Sequence, residues 1–163
     1  MIDFWTRHSR PEDMDAIAAL NEAAFGGADE VRITRQLHAD GDSLVSLVAE
    51  TDAGIVGHIE FFRILIDGRP DGAGLGPMSA LPGRQRSGIG SYLVRAGLEE
   101  LDDLRETIVF VLGHADYYPR FGFDEETARP FRAAWSGPHF MAQRLAPGGP
   151  ASGTLTYPRA FGA

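Results

Sequence analysis

The chain has 163 residues, 44% hydrophobic and 23% charged, and 15 basic against 23 acidic side chains leave a net charge of −8. This is an ordinary globular composition for one domain over residues 1–163, and its acidic balance argues against a nucleic-acid partner, which needs a basic footprint. Every basic residue is arginine and cysteine is absent, which removes the P-loop lysine, lysine Schiff bases, thiolate metal sites, disulfides and a cysteine nucleophile.

In chain order, "FWTRHS" (4–9) reads as a first strand. Ser9 and Glu12 give an S-x-x-E capping box with Pro11 in the first turn. Met14, Ile17, Leu20 and Ala24 follow at helical spacing up to Gly26-Gly27, and "DEVRITRQLHAD" reads as a second helix closed by Gly41. "SLVSLVAE" and "IVGHIEFFRILI", joined by "TDAG", form an antiparallel hairpin. "DGRPDGAG" is expected to be a loop, and "LGPMSALP" a strand that Pro77 demotes to an edge or a bulge. An apolar stripe of Ile89, Leu93, Leu101 and Leu104 marks a long helix, "TIVFVLG" a buried strand, and "ADYYPRFGF" a short helical piece. One or two closing strands precede a tail rich in glycine, proline and alanine. Strands alternate with helices around one mixed sheet, so the class is α/β or α+β. No apolar run approaches the roughly 20 residues of a membrane span. The start, "MIDFWTRHSRPEDMD", has no secretory pattern, so the expected place is cytoplasmic with no membrane partner.

Gln85-Arg86-Ser87-Gly88-Ile89-Gly90 stands between a strand and a helix. The first N–H groups of a helix have no internal acceptor and carry partial positive charge, and glycines let an anion approach them. A pyrophosphate suits that turn, with Arg84 and Arg86 adding charge. A Rossmann fingerprint does not fit, because Leu93 occupies the place of the third glycine. In "YYPRFGF" Phe121 and Phe123 read as core, whereas the Tyr118 phenol can also donate a proton.

Together, "LGPMSALPGRQRSGIGSYLV" and "VLGHADYYPRFGF" resemble the GNAT superfamily of acyl-CoA-dependent N-acetyltransferases. The tail segments "PHFMAQRLAPG" and "GTLTYPRAFG" look most like a bacterial subset of that superfamily. The resemblance implies helices on both faces of a mixed sheet, in which the Pro77 strand splays from its parallel neighbour. Acetyl-CoA would bind in the opening, with backbone of Met78, Ser79 and Ala80 on the pantetheine arm. Arg86, Ser87, Gly88, Ile89, Gly90 and Ser91 would hold the pyrophosphate. It also implies Tyr118 as the acid that protonates the departing thiolate. The asparagine many members carry seven residues before that tyrosine is Val111 here, and Gly113, His114 or Asp116 are the candidates to replace it.

Glu60 and His58 on "VGHIEFF" are the candidate general bases, with a relayed water as the rival. The remaining histidines show no metal spacing, so no metal is expected. The acceptor is a small-molecule amine or a peptide, lined by segments around 25–29, 61–63 and 135–140. The alternative to an enzyme is a non-catalytic acyl-CoA-binding or regulatory module on the same fold. Dimerisation is common among members, and nothing in this chain bears on it.

Overall fold

The structure, a computed structural model, describes residues 3–84, 87–135 and 137–162. Its elements are β1 (Trp5–His8), α1 (Met14–Phe25), α2 (Asp29–Ala39), β2 (Ser43–Thr51), β3 (Gly54–Ile66), β4 (Arg69–Ala80), α3 (Ile89–Asp103), β5 (Ile108–Leu112), α4 (Glu125–Ala128), β6 (Phe131–Arg132), β7 (Phe140–Arg144) and β8 (Gly153–Thr156). The sheet runs β1-β2-β3-β4-β5-β7, with β8 against the far end of β3 and β6 against β8. Along that main path only β4 and β5 are parallel.

The stretch expected to be a loop, Asp67–Gly74, is mostly strand. Its turn is just Asp67-Gly68, with φ values of 51° and 80°, the pair of left-handed residues that a tight two-residue hairpin needs. The glycines beyond it serve packing instead: a Cβ on Gly74 would lie 2.3 Å from Cζ of Phe62, so the ring crosses the strand there. The expected capping box is also replaced. Ser9 Oγ donates to Ser46 Oγ on β2 at 2.6 Å, and Asp13 accepts the Arg10 N–H at 2.7 Å in place of Glu12.

Each sheet face buries its own apolar set. Ile59, Phe61, Val109 and Val111 meet α3 through Ile89, Leu93, Val94 and Leu101. Phe62, Ile64, Ile66 and Phe110 meet Leu37 of α2 together with Phe131, Phe140, Leu155 and Ala160 of the C-terminal third. Burying each of the larger of these side chains contributes about 1.5–3 kcal/mol. Gly97 lets α3 lie against β3, since a Cβ there would sit 2.0 Å from Phe61 Cε2. Helices thus cover both faces of a mixed sheet.

One irregularity places the site. β4 pairs with β5 over Ala73–Leu75 against Val109–Val111 and no further. On its other side the β3 register passes from Phe61↔Leu75 to Ile59↔Met78, so Gly76 and Pro77 together oppose Glu60. That extra residue is a bulge, and bulges bend the strand that carries them. Proline suits it because it donates nothing to a ladder, and the Gly76-Pro77 peptide is cis. Beyond the bulge β4 keeps β3 as its partner and leaves β5.

Candidate active site

The opening between β4 and β5 presents unpaired backbone. The Leu81 N–H donates to the Val56 carbonyl at 2.9 Å. Backbone groups alternate sides along a strand, so those of Ser79 also turn toward β3 while those of Met78 and Ala80 turn into the opening. The Ser79 hydroxyl points instead to α1, donating to Asn21 Oδ1 at 2.7 Å. Half-buried strand groups left without a ladder partner call for one. An extended amide-bearing ligand would supply one.

At one end of the opening is a cleft of about 560 Å³ lined by Met78, Ser79, Ala80, Arg84, Gly88, Gly90, Ser91, Tyr117 and Arg120, with Ala24 and Phe25 above. Here α3 starts. Gly88 has φ +89°, a conformation open to glycine at little cost, and its carbonyl accepts the first helical bond, from the Tyr92 N–H at 3.0 Å. The N–H groups of Ile89, Gly90 and Ser91 precede that bond and have no helical acceptor. Arg84 is tied to Asp3 by two contacts of 2.9 and 2.8 Å. The Arg120 guanidinium lies 4.8 Å over the Tyr117 ring, and the Tyr117 hydroxyl is 3.3 Å from Ser91 Oγ. Met78, Ser79, Ala80, Gly88, Gly90 and Ser91 thus share one cleft, while the buried Ile89 side chain packs in the core. Ser87 is exposed and off the cleft lining, its hydroxyl donating to the Arg84 carbonyl, and Arg86 lies outside the described residues.

Met78, Phe25 and Tyr117 also line a second cavity of about 780 Å³ on the other side of the splay. Tyr118 stands in its wall with Gly76, Pro77, Gly113 and His114. Its ring packs on Gly113, where a Cβ would be 2.3 Å from Cε2, and edge-on against Phe123 at 5.9 Å. Burial, with the neighbouring Tyr117, pushes the Tyr118 phenol up to about 12. It therefore keeps its proton across the physiological range.

Of the three segments expected around the acceptor, Phe25, Phe62 and Trp135 reach this cavity. Sequence reasoning missed the tail: Tyr157 and Phe161 complete the wall. Arg120, inside the quoted "YYPRFGF", was missed too. Its place three residues after Tyr117 on a helical turn was the available signal.

Glu60 reaches neither cavity. It is fully buried between β3 and α2 and accepts from His38 Nε2 at 2.6 Å, Ser46 Oγ at 2.7 Å, Ser43 Oγ at 2.8 Å and the equally buried His58 Nε2 at 3.0 Å. Burial opposes its charge, but the bonds from His38 and His58 outweigh that and lower its pKa to about 2. The same contact raises His38. Every bond to the Glu60 carboxylate is made inside the protein.

The Acetyltransferase (GNAT) domain profile matches residues 6–125, and the chain belongs to the GNAT acetyltransferase family. It is 37% identical over 117 residues to the uncharacterized N-acetyltransferase YjhQ of Escherichia coli K12, a match covering 69% of this chain and 65% of that relative, just under two thirds of its length. It is 29% identical over 140 residues to the N-acetyltransferase YhbS of the same strain, covering 83% and 84%. The crystal structure of E. coli YhbS in complex with CoA superposes with a TM-score of 0.91 at 27% identity, over 100% of this chain and 94% of that one. A GNAT family acetyltransferase from Brucella melitensis in complex with acetyl-CoA gives 0.83 at 36% identity, over 97% of each chain.

Proposed function

We propose that this protein transfers the acetyl group of acetyl-CoA to a primary amine by direct attack within a ternary complex. The observation that carries the reading is the junction of the two cavities at Met78. One cavity offers an anion-binding helix start, the other a buried phenol. The acetyl-CoA complex of the 36%-identical Brucella protein supports the same choice of donor.

The N–H groups of Ile89, Gly90 and Ser91, with the Ser91 hydroxyl and the charge of Arg120 nearby, suit a pyrophosphate. The free backbone of Ala80 and Met78 suits the amides of a pantetheine arm. The thioester carbonyl would then lie near Met78, whose N–H stabilises the oxyanion formed when the amine nitrogen bonds to the acetyl carbon. The C–S bond breaks as the carbonyl reforms, and Tyr118 gives its proton to the departing sulfur. The amine loses its protons to water in the open cavity, and one of them restores the phenol. The net change is R-NH3⁺ and acetyl-CoA to the N-acetyl amine, CoA thiol and H⁺. No covalent enzyme intermediate is required.

Initial rates of thiol release test this, with the amine varied at several fixed acetyl-CoA concentrations. The reading predicts intersecting reciprocal plots and an N-acetylated product by mass. Parallel plots would mean an acetyl-enzyme. Tight acetyl-CoA binding with no product from any amine would favour a non-catalytic module.

A further inference from the structure

We propose that the acceptor is a primary amine on an aromatic or similarly flat apolar body, carrying one positive charge and no carboxylate or phosphate. This rests on the acetyl-transfer reading above. The second cavity, about 780 Å³ before the thioester end of the donor enters at Met78, is of a size to take one small molecule beside it. Its walls are rings: Phe25, Phe62, Phe110, Trp135, Tyr157 and Phe161. They brace one another, Trp135 on Tyr157 at 4.6 Å and 78°, Phe62 on Phe161 at 4.6 Å, so the pocket is held open by packing.

Charge narrows the choice. Glu30, in the first turn of α2, is the one carboxylate among the described residues of this wall, and no arginine stands there. His114 is the one basic side chain on this wall among the described residues, so an acceptor carboxylate or phosphate would be desolvated with no permanent cation to meet it, which is costly. A single ammonium is favoured twice, by Glu30 and by the ring faces. A polyamine would bring further ammonium groups against apolar rings with no carboxylate to meet them. A flat apolar body covers the rings, and its amine, drawn in as the ammonium and then deprotonated, meets Met78 and Tyr118 on the wall of the same cavity.

The test compares kcat/KM for 2-phenylethylamine, phenylalanine, spermidine and a short lysine peptide by thiol release. A preference for 2-phenylethylamine of tenfold or more over each of the others is expected. Equal or better turnover of any of the other three overturns the proposal and leaves acetyl transfer standing. Calorimetry of 2-phenylethylamine into CoA-saturated protein reads the pocket without chemistry. There the proposal predicts binding that weakens about tenfold in Glu30→Gln, with KM raised and kcat little changed in turnover. No binding, or binding indifferent to Glu30→Gln, overturns it. Binding that responds to Glu30→Gln without release of thiol from any amine supports the pocket's chemistry and instead refutes the acetyl-transfer reading.

Discussion

Replacing Gly113 by alanine should disable the acid without touching it. A Cβ at this position falls 2.3 Å from Cε2 of Tyr118, 2.9 Å from Cδ2 and 3.3 Å from Cζ. Carbon atoms in contact sit about 3.5–4.0 Å apart, so something must move by about 1 Å. The backbone of Gly113 is held on both sides: its N–H donates to the His139 carbonyl at 2.9 Å, and its own carbonyl meets His139 Nδ1 at 3.1 Å. The ring therefore yields. Overpacking of this kind costs about 1–3 kcal/mol of stability, which leaves a domain of this size folded. A displacement of about 1 Å at a reacting group costs about 100-fold in rate. The assay is kcat for thiol release beside acetyl-CoA affinity by calorimetry, in Gly113→Ala, Tyr118→Phe and the double variant. Affinity should be unchanged in all three. The double variant should be no slower than Tyr118→Phe alone, because both changes remove one proton donation. Losses that multiply, or a Gly113→Ala enzyme with unimpaired kcat, would refute the argument that the ring's placement matters.

Tyr118→Phe should lower kcat by about 10²–10⁴-fold, whereas Tyr117→Phe, which loses one contact of 3.3 Å to Ser91, should stay within a few-fold; the reverse order would move the acid to Tyr117. Gly88→Val should weaken acetyl-CoA binding at least tenfold in calorimetry with the fold intact by circular dichroism, because valine resists the φ of +89°; unaltered affinity would remove the turn from the site. Glu60 has a folded pKa of about 2 against an ordinary 4.5. Its stabilising contribution is therefore present above about pH 4.5 and is lost as the pH falls toward about 2. Glu60→Gln should cost about 3 kcal/mol near neutral pH and flatten the acid limb of Tm against pH; a limb as steep as before would place the acid sensitivity elsewhere.

The site's skeleton was legible because it is local. The glycines at 88 and 90 and the stripe Ile89, Leu93 and Leu101 announce a helix with an open start. Pro77 in an apolar run announces a strand that cannot pair on both sides. What escaped depends on partners distant in sequence. Glycine and proline after Asp67 have the composition of a loop; Asp67-Gly68 is the local hairpin signal, but that Gly74 serves a strand under the ring of Phe62 is set by packing. The alternation of His58 and Glu60 showed a polar patch on one face. That α2 would bring His38 onto it, closing the carboxylate off from the cavities, is set by packing between elements. Tyr157 and Phe161 sit in a tail whose richness in glycine, proline and alanine gave no sign of a wall, yet they pack on Phe62 with ring centroids 5.6 and 4.6 Å away.

Titrating the protein with acetyl-CoA, CoA and NAD by calorimetry tests the central claim, that the splayed strand and the start of α3 form an acyl-CoA cleft. The account predicts one site per chain for acetyl-CoA and for CoA, and no heat with NAD. Silence with both CoA species, or an equal response to NAD, would contradict it.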